Sequence, residues 1–168
     1  NPFNLEWVGS QVAPTFADLD GDGDLDAFIG DYNGFIKYYK NTGTSTAPVM
    51  TLVSGSSNPF NGVDVGNLAA PTFADLDGDG DLDAFIGDTN GYIKYYKNTG
   101  TSVAPVMTYT TGSTNPFNGV DVGDQSRLTF VDISGDGILD AFIGEQNGFI
   151  KYYKNTGTST APVMTLVS

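Results

Sequence analysis

Aspartate is concentrated in three nonapeptides. The first is Asp18-Leu-Asp20-Gly-Asp22-Gly-Asp24-Leu-Asp26. The second runs from Asp75 through Asp77, Asp79 and Asp81 to Asp83. The third is Asp132-Ile-Ser134-Gly-Asp136-Gly-Ile138-Leu-Asp140, and the three begin 57 residues apart. Oxygen donors at alternate positions around a Gly-forced turn suit a hard cation, and Ca²⁺ takes ligands of this kind. Counted from the first Asp, positions 1, 3 and 5 offer side-chain oxygens. Position 7 (Asp24, Asp81, Ile138) offers a carbonyl, and position 9 (Asp26, Asp83, Asp140) a further carboxylate. Position 12 is Ile29, Ile86 and Ile143, so the bidentate Glu of an EF-hand is missing, and the flanks read as strands. One Ca²⁺ per repeat is expected. The third site should be the weakest, because Ser134 replaces a carboxylate and Ile138 offers no acid.

A second set of polar groups recurs once per repeat. Asp31, Tyr32 and Asn33 correspond to Asp88, Thr89 and Asn90, and to Glu145, Gln146 and Asn147. Each set precedes a Gly, so hairpin geometry alone would explain the Asn-Gly pair. An acid and an amide beside an aromatic would also suit a polar ligand, since loops at one end of a scaffold commonly carry binding. Trp7, the one tryptophan, stands where the other repeats have Asp64 and Asp121 in the changed step Leu5-Glu6-Trp7; it could stack on a sugar ring or cap the edge of the first repeat. Six of the seven cationic side chains lie in the Lys-Tyr-Tyr-Lys segments beginning at Lys37, Lys94 and Lys151. Alternation puts neighbours on opposite faces, with the Tyr rings expected inside and the Lys stems reaching outward. Arg127 is the one arginine and marks a surface edge or a contact between chains.

Composition removes several alternatives. The 168 residues include no Cys and no His, so disulfides, thiolates and the commonest general base are unavailable. With most carboxylates in the acidic loops, the chain is not expected to be an enzyme. Net charge is −13, and the three acidic loops hold thirteen Asp, so the rest of the chain is electrically neutral. That balance argues against nucleic acid and anionic membranes as partners. No apolar run reaches spanning length, and no secretory leader is visible at Asn1.

The elements that must position these residues are strands. Helical periodicity is absent, and short β-branched and aromatic segments lie between Gly, Asn, Asp and Pro. In the middle repeat four strands are predicted, at about 71–76, 82–87, 92–97 and 106–111. The repeats span 1–57, 58–114 and 115–168, each opening with Asn-Pro-Phe-Asn, and Gly34–Ser54 is identical to Gly148–Ser168. Such identity fits recent duplication or deliberate construction. A four-stranded meander repeated at this period indicates an all-β fold, a β-propeller of antiparallel blades with three blades per chain. Phe85 and Ile86 point to opposite faces, as do Phe28 and Ile29, which suits a blade buried on both sides. Propellers typically have about four to eight blades. The chain is therefore expected to be a piece of a longer propeller, or to pair with itself as a dimer of six blades.

The Asp-x-Asp-x-Asp-Gly-x-x-Asp loop followed by Phe-Ile-Gly resembles FG-GAP or VCBS-type repeats, a family that includes the integrin α-subunit propeller and fungal integrin-like lectins. The resemblance covers nearly the whole chain three times over. It implies Ca²⁺ at Asp18, Asp20, Asp22, Asp24 and Asp26, and at Asp75, Asp77, Asp79, Asp81 and Asp83. In the third loop it implies Asp132, Ser134, Asp136, Ile138 and Asp140. It further implies a secreted or cell-surface binding module, lectin-like and without catalysis. The alternatives are an adhesion propeller that binds protein, or an engineered scaffold without a native ligand.

Overall fold

Segments of four to six strand-forming residues alternate with Gly- and Asn-rich turns, and every four of them close into one antiparallel sheet. The computed structural model describes residues 1–4 and 6–167; Leu5 and Ser168 lie outside the described residues. The first sheet holds β1 (Ala13–Ala17), β2 (Asp26–Gly30), β3 (Ile36–Asn41) and β4 (Met50–Val53). The second holds β5 (Ala70–Ala74), β6 (Asp83–Gly87), β7 (Ile93–Asn98) and β8 (Met107–Thr110). The third holds β9 (Arg127–Val131), β10 (Asp140–Gly144), β11 (Ile150–Asn155) and β12 (Met164–Val167). Each is a meander in chain order, so the fold is all-β with three blades, as the repeat predicts.

Equivalent positions keep equivalent register. Phe28 pairs with Thr15 and Tyr38, Phe85 with Thr72 and Tyr95, and Phe142 with Thr129 and Tyr152. The hairpins between the second and third strands have three-residue loops. Gly34 donates to the Asp31 carbonyl at 3.2 Å, and Asp31 N–H donates to Phe35 at 3.1 Å. Gly34, Gly91 and Gly148 take φ near 80–90°, the left-handed position that closes such a loop.

A central strand is buried on both faces because blades stack on one another. Phe85 and Ile86 are fully buried but belong to different cores. Ile86 joins Phe28, Tyr38, Phe60 and Tyr96 between the first and second blades. Phe85 joins Tyr95, Phe117, Ile143 and Tyr153 between the second and third. Aromatic rings tie each junction: Phe28 lies 4.8 Å from Tyr38 in its own blade and 4.6 Å from Phe73 in the next. Phe60 and Phe117 of the Asn-Pro-Phe-Asn steps are buried in these junctions. The three innermost strands, β1, β5 and β9, line one open cleft of about 540 Å³, and Arg127 stands in its wall.

Candidate metal centre

Each acidic loop connects the first strand of a blade to the second, so both of its ends are anchored. Within it, backbone N–H groups turn inward onto the first Asp. Asp18 accepts from Asp22 and Gly23 at 3.1 and 3.0 Å, and Asp75 accepts from Asp79 and Gly80 at the same distances. Asp22 and Asp79 in turn accept from the amides two residues on, at 3.0 Å. Glycine is needed at the turn: Gly21 and Gly78 have φ 69°, Gly23 88° and Gly80 90°.

This folding brings three carboxylates together twice. Oxygens of Asp18, Asp20 and Asp22 lie within 4.8 Å of one another, as do those of Asp75, Asp77 and Asp79, which is a spacing able to hold a metal ion. Oδ1 of Asp20 and of Asp77 is buried without a hydrogen-bond partner. An unpartnered buried carboxylate oxygen is costly unless a cation completes it, so the residues present fit a hard metal ion. Asp18, Asp20 and Asp22, and likewise Asp75, Asp77 and Asp79, would hold it.

A lysine reaches each cluster. Lys40 contacts Asp20 and lies 3.0 Å from Asp22; Lys97 contacts Asp77 and lies 3.0 Å from Asp79. The expectation that these stems reach outward is corrected for Lys40 and Lys97, whose ammonium groups end on the acid clusters. Asp20 and Asp22 push the Lys40 ammonium above its usual range. The Asp24 N–H, then Lys40, holds the Asp22 carboxyl below its own. Burial acts against ionisation of Asp79, but Lys97 and the Asp81 N–H outweigh it and the net shift is downward.

Position 9 has a different environment. Asp26 and Asp83 are fully buried. Asp83 accepts from the Tyr95 hydroxyl and the Asn98 N–H, both at 2.7 Å, and Asp26 accepts from Tyr38 and Asn41 in the same way. Burial raises the Asp83 carboxyl to about 6 against the pull of these donors, and raises Asp26 too. Asn41 and Asn98 continue the network, each accepting from two amides of the following turn at 3.0 Å. Sequence reasoning missed these asparagines; their recurrence after each Tyr-Tyr-Lys was the available signal.

The third loop keeps the turn with less charge, three Asp in place of five. Asp132 accepts from Gly135, Asp136 and Gly137 at 2.7–3.2 Å, and these amides, Gly137 foremost, hold its carboxyl below the usual range. Ser134 stands where Asp20 and Asp77 complete the other two clusters, so only Asp132 and Asp136 remain at those three positions.

The hairpin residues are placed as follows. One oxygen of Asp31 accepts from Asn33 and Phe35, and one of Asp88 from Asn90 and Tyr92, at 2.9–3.2 Å. Glu145 divides the two between its oxygens, Oε2 accepting from Asn147 at 2.9 Å and Oε1 from Phe149 at 3.1 Å. These acids organise their own turns. Tyr32 is exposed, Thr89 donates to the Asn67 carbonyl at 2.8 Å, and Gln146 N–H donates to Asp124. Trp7 is 77 % exposed with Lys37 Nζ 5.8 Å from its ring centre.

Comparison with known protein families matches the FG-GAP-like repeat over residues 18–86 and again over 75–143. The chain belongs to the FG-GAP-like repeat family. Each match begins at the first Asp of one acidic loop and ends within the Phe-Ile pair of the next blade, so both span a blade junction. No curated protein matches the chain. For an FG-GAP-like protein the Asp clusters of the first two blades are the expected metal positions, and the geometry above is able to hold an ion there.

Proposed function

We propose that the protein is a calcium-stabilised, non-catalytic propeller module that binds carbohydrate outside the cell or at its surface. The observation that carries this reading is a cleft of about 390 Å³ between the hairpin of the second blade and the leading loop of the third. Asp88, Asn90, Tyr92, Lys94, Tyr109 and Asn118 are among its walls. Tyr92 and Tyr109 are half exposed and offer flat apolar faces that carry a hydroxyl. Asn amides both donate and accept, as a sugar hydroxyl requires of its partners. Asp88 and Asn90 were singled out from the sequence; Tyr109 and Asn118 were not. Calcium is favoured because the donors are hard oxygens arranged like the first half of an EF-hand loop. Binding without turnover is favoured because the chain has no His or Cys, and because the position-9 carboxylates of the first two blades are held by Tyr and backbone donors.

A glycan array in millimolar calcium tests the reading. The protein should bind a restricted set of glycans, and Tyr92→Ala and Asn118→Ala should each lose that binding while keeping the far-UV circular dichroism spectrum. An array without signal would remove carbohydrate as the ligand.

A further inference from the structure

The third blade exposes the face that the first two bury. Ile150 is 74 % exposed, whereas its equivalents Ile36 and Ile93 are 3 % exposed. Phe142 and Tyr152 keep the 4.8 Å stack seen in Phe28–Tyr38 and Phe85–Tyr95. The ring that the next blade adds to those stacks, Phe73 or Phe130, has no counterpart at Phe142 among the described residues. The sequence equivalent of that ring is Phe16 on β1, which is 49 % exposed at the other open end.

The glycines agree. A Cβ on Gly30 would lie 2.1 Å from the Ala69 carbonyl oxygen, and one on Gly87 2.1 Å from that of Ser126. Both are glycine because the next blade's backbone lies against them. Gly144 occupies the same position in the third blade, and a Cβ there would meet nothing within 4 Å.

Backbone polarity repeats the pattern. Val65, Leu68 and Ala69 donate across the first junction to Gly34, Tyr32 and Asp31 at 3.0–3.1 Å; Val122, Gln125 and Ser126 do so across the second at 2.8–3.3 Å. The equivalent donors of the first blade are Val8, Gln11 and Val12, and the equivalent acceptors of the third are Gly148, Gln146 and Glu145. Gln11 holds φ 49°, beside 60° for Leu68 and 54° for Gln125. A left-handed non-Gly residue is unfavourable, so the leading loop of the first blade is already set in the docked conformation.

We propose that the first blade of a second copy docks on the third blade, and that two chains close head to tail into a six-bladed ring. A second copy is the occupant because the two open faces are the two halves of a junction this chain already makes twice. Two copies of these three blades make six, within the about four to eight blades that propellers have. Head-to-tail contacts of this kind form a ring when the rotation closes. The second copy also completes the third acidic loop. A Cβ on Gly21 or Gly78 would lie 2.8 or 2.9 Å from the carbonyl of Ser102 or Ser159 in the next blade's outer turn, whereas Gly135 meets nothing within 4 Å. In the ring, Ser45 of the second copy supplies that wall.

The test is the solution mass of the full chain in calcium, by light scattering at micromolar concentration. The wild type should give twice 17.7 kDa. Gly144→Ala should give a monomer with an unchanged circular dichroism spectrum, since its Cβ has room in the single chain and its backbone is not left-handed. Ile150→Lys places a charge that the single chain leaves in water and should also be monomeric; it decides alone should Gly144→Ala fail to fold. A wild-type monomer, an open polymer whose mass grows with concentration, or a dimer that survives Ile150→Lys would each overturn the proposal.

Discussion

Asp83 is pulled in two directions. Its burial favours the neutral acid, with the carboxyl at about 6 against a usual 3.8, while a neighbouring metal ion would favour the carboxylate. A carboxyl raised by folding contributes most stability at low pH and loses it as pH rises through the folded value. In chelator, the melting temperature should therefore rise as pH is lowered from 7 toward 5, by an amount corresponding to on the order of 1 kcal/mol at Asp83. Asp83→Asn should reduce that slope in thermal melts without abolishing it, because burial raises Asp26 too; a variant that keeps the wild-type slope would refute the assignment. The acids of the loop differ by position as well. Asp79→Ala removes a member of a three-carboxylate cluster, and Asp136→Ala alters a loop that has already lost one. In calorimetric titration with calcium, Asp79→Ala should remove one of the two stronger sites per chain, and Asp136→Ala should leave both stronger sites in place.

At the scale of the strand, the blade works because β6 serves two cores. Phe85 stacks on Tyr95 at 4.8 Å and meets Phe130 of the third blade at 4.8 Å and Phe117 at 6.1 Å. Phe85→Ala should destabilise the chain by about 3–5 kcal/mol, because the aromatic group around the cavity comes from two blades and cannot collapse into it. Gly87→Ala should cost about 1–3 kcal/mol by forcing the blades apart at the Ser126 carbonyl. Chemical denaturation measures both, and a Gly87→Ala variant as stable as wild type would show that the junction is not close-packed there. The four predicted strands of the middle repeat lie within one or two residues of those observed, because hydrophobic alternation and Gly-rich turns bound them locally.

For the whole molecule, the acidic loops lie on the same side of every blade, each at the step from first to second strand, and their repulsion acts against the assembled blades. On the extracellular reading proposed above, the sites belong to the class that holds Ca²⁺ at ~10⁻⁴–10⁻³ M. Millimolar calcium should accordingly raise the melting temperature and excess chelator lower it, since an ion that binds only the folded chain stabilises it by mass action. A melting curve indifferent to chelator would refute the metal reading of the loops. The same experiment on Gly144→Ala separates the contribution of the metal from that of ring assembly.

Repeat length, strand order, the acidic turns and two-sided burial were legible in the amino-acid sequence, because each follows from residue types a few positions apart or from spacing repeated three times. Tertiary structure decided what depends on residues that meet only across blades. Lys40 and Lys97 end on acid clusters because the third strand of each blade passes beside the loop that joins the first two, a proximity set by strand pairing. Position 9 is set in a Tyr–Asp–Asn network because β2 and β3 pair in register, which no local pattern displays. Tyr109 and Asn118 reach the same cleft as Asp88 only because the third blade packs on the second. The blade count implies uncovered end blades, and tertiary structure decided which residues they expose. Ile36, Ile93 and Ile150 are the same residue in the same sequence context, and burial separates them because only two have a following blade within the chain.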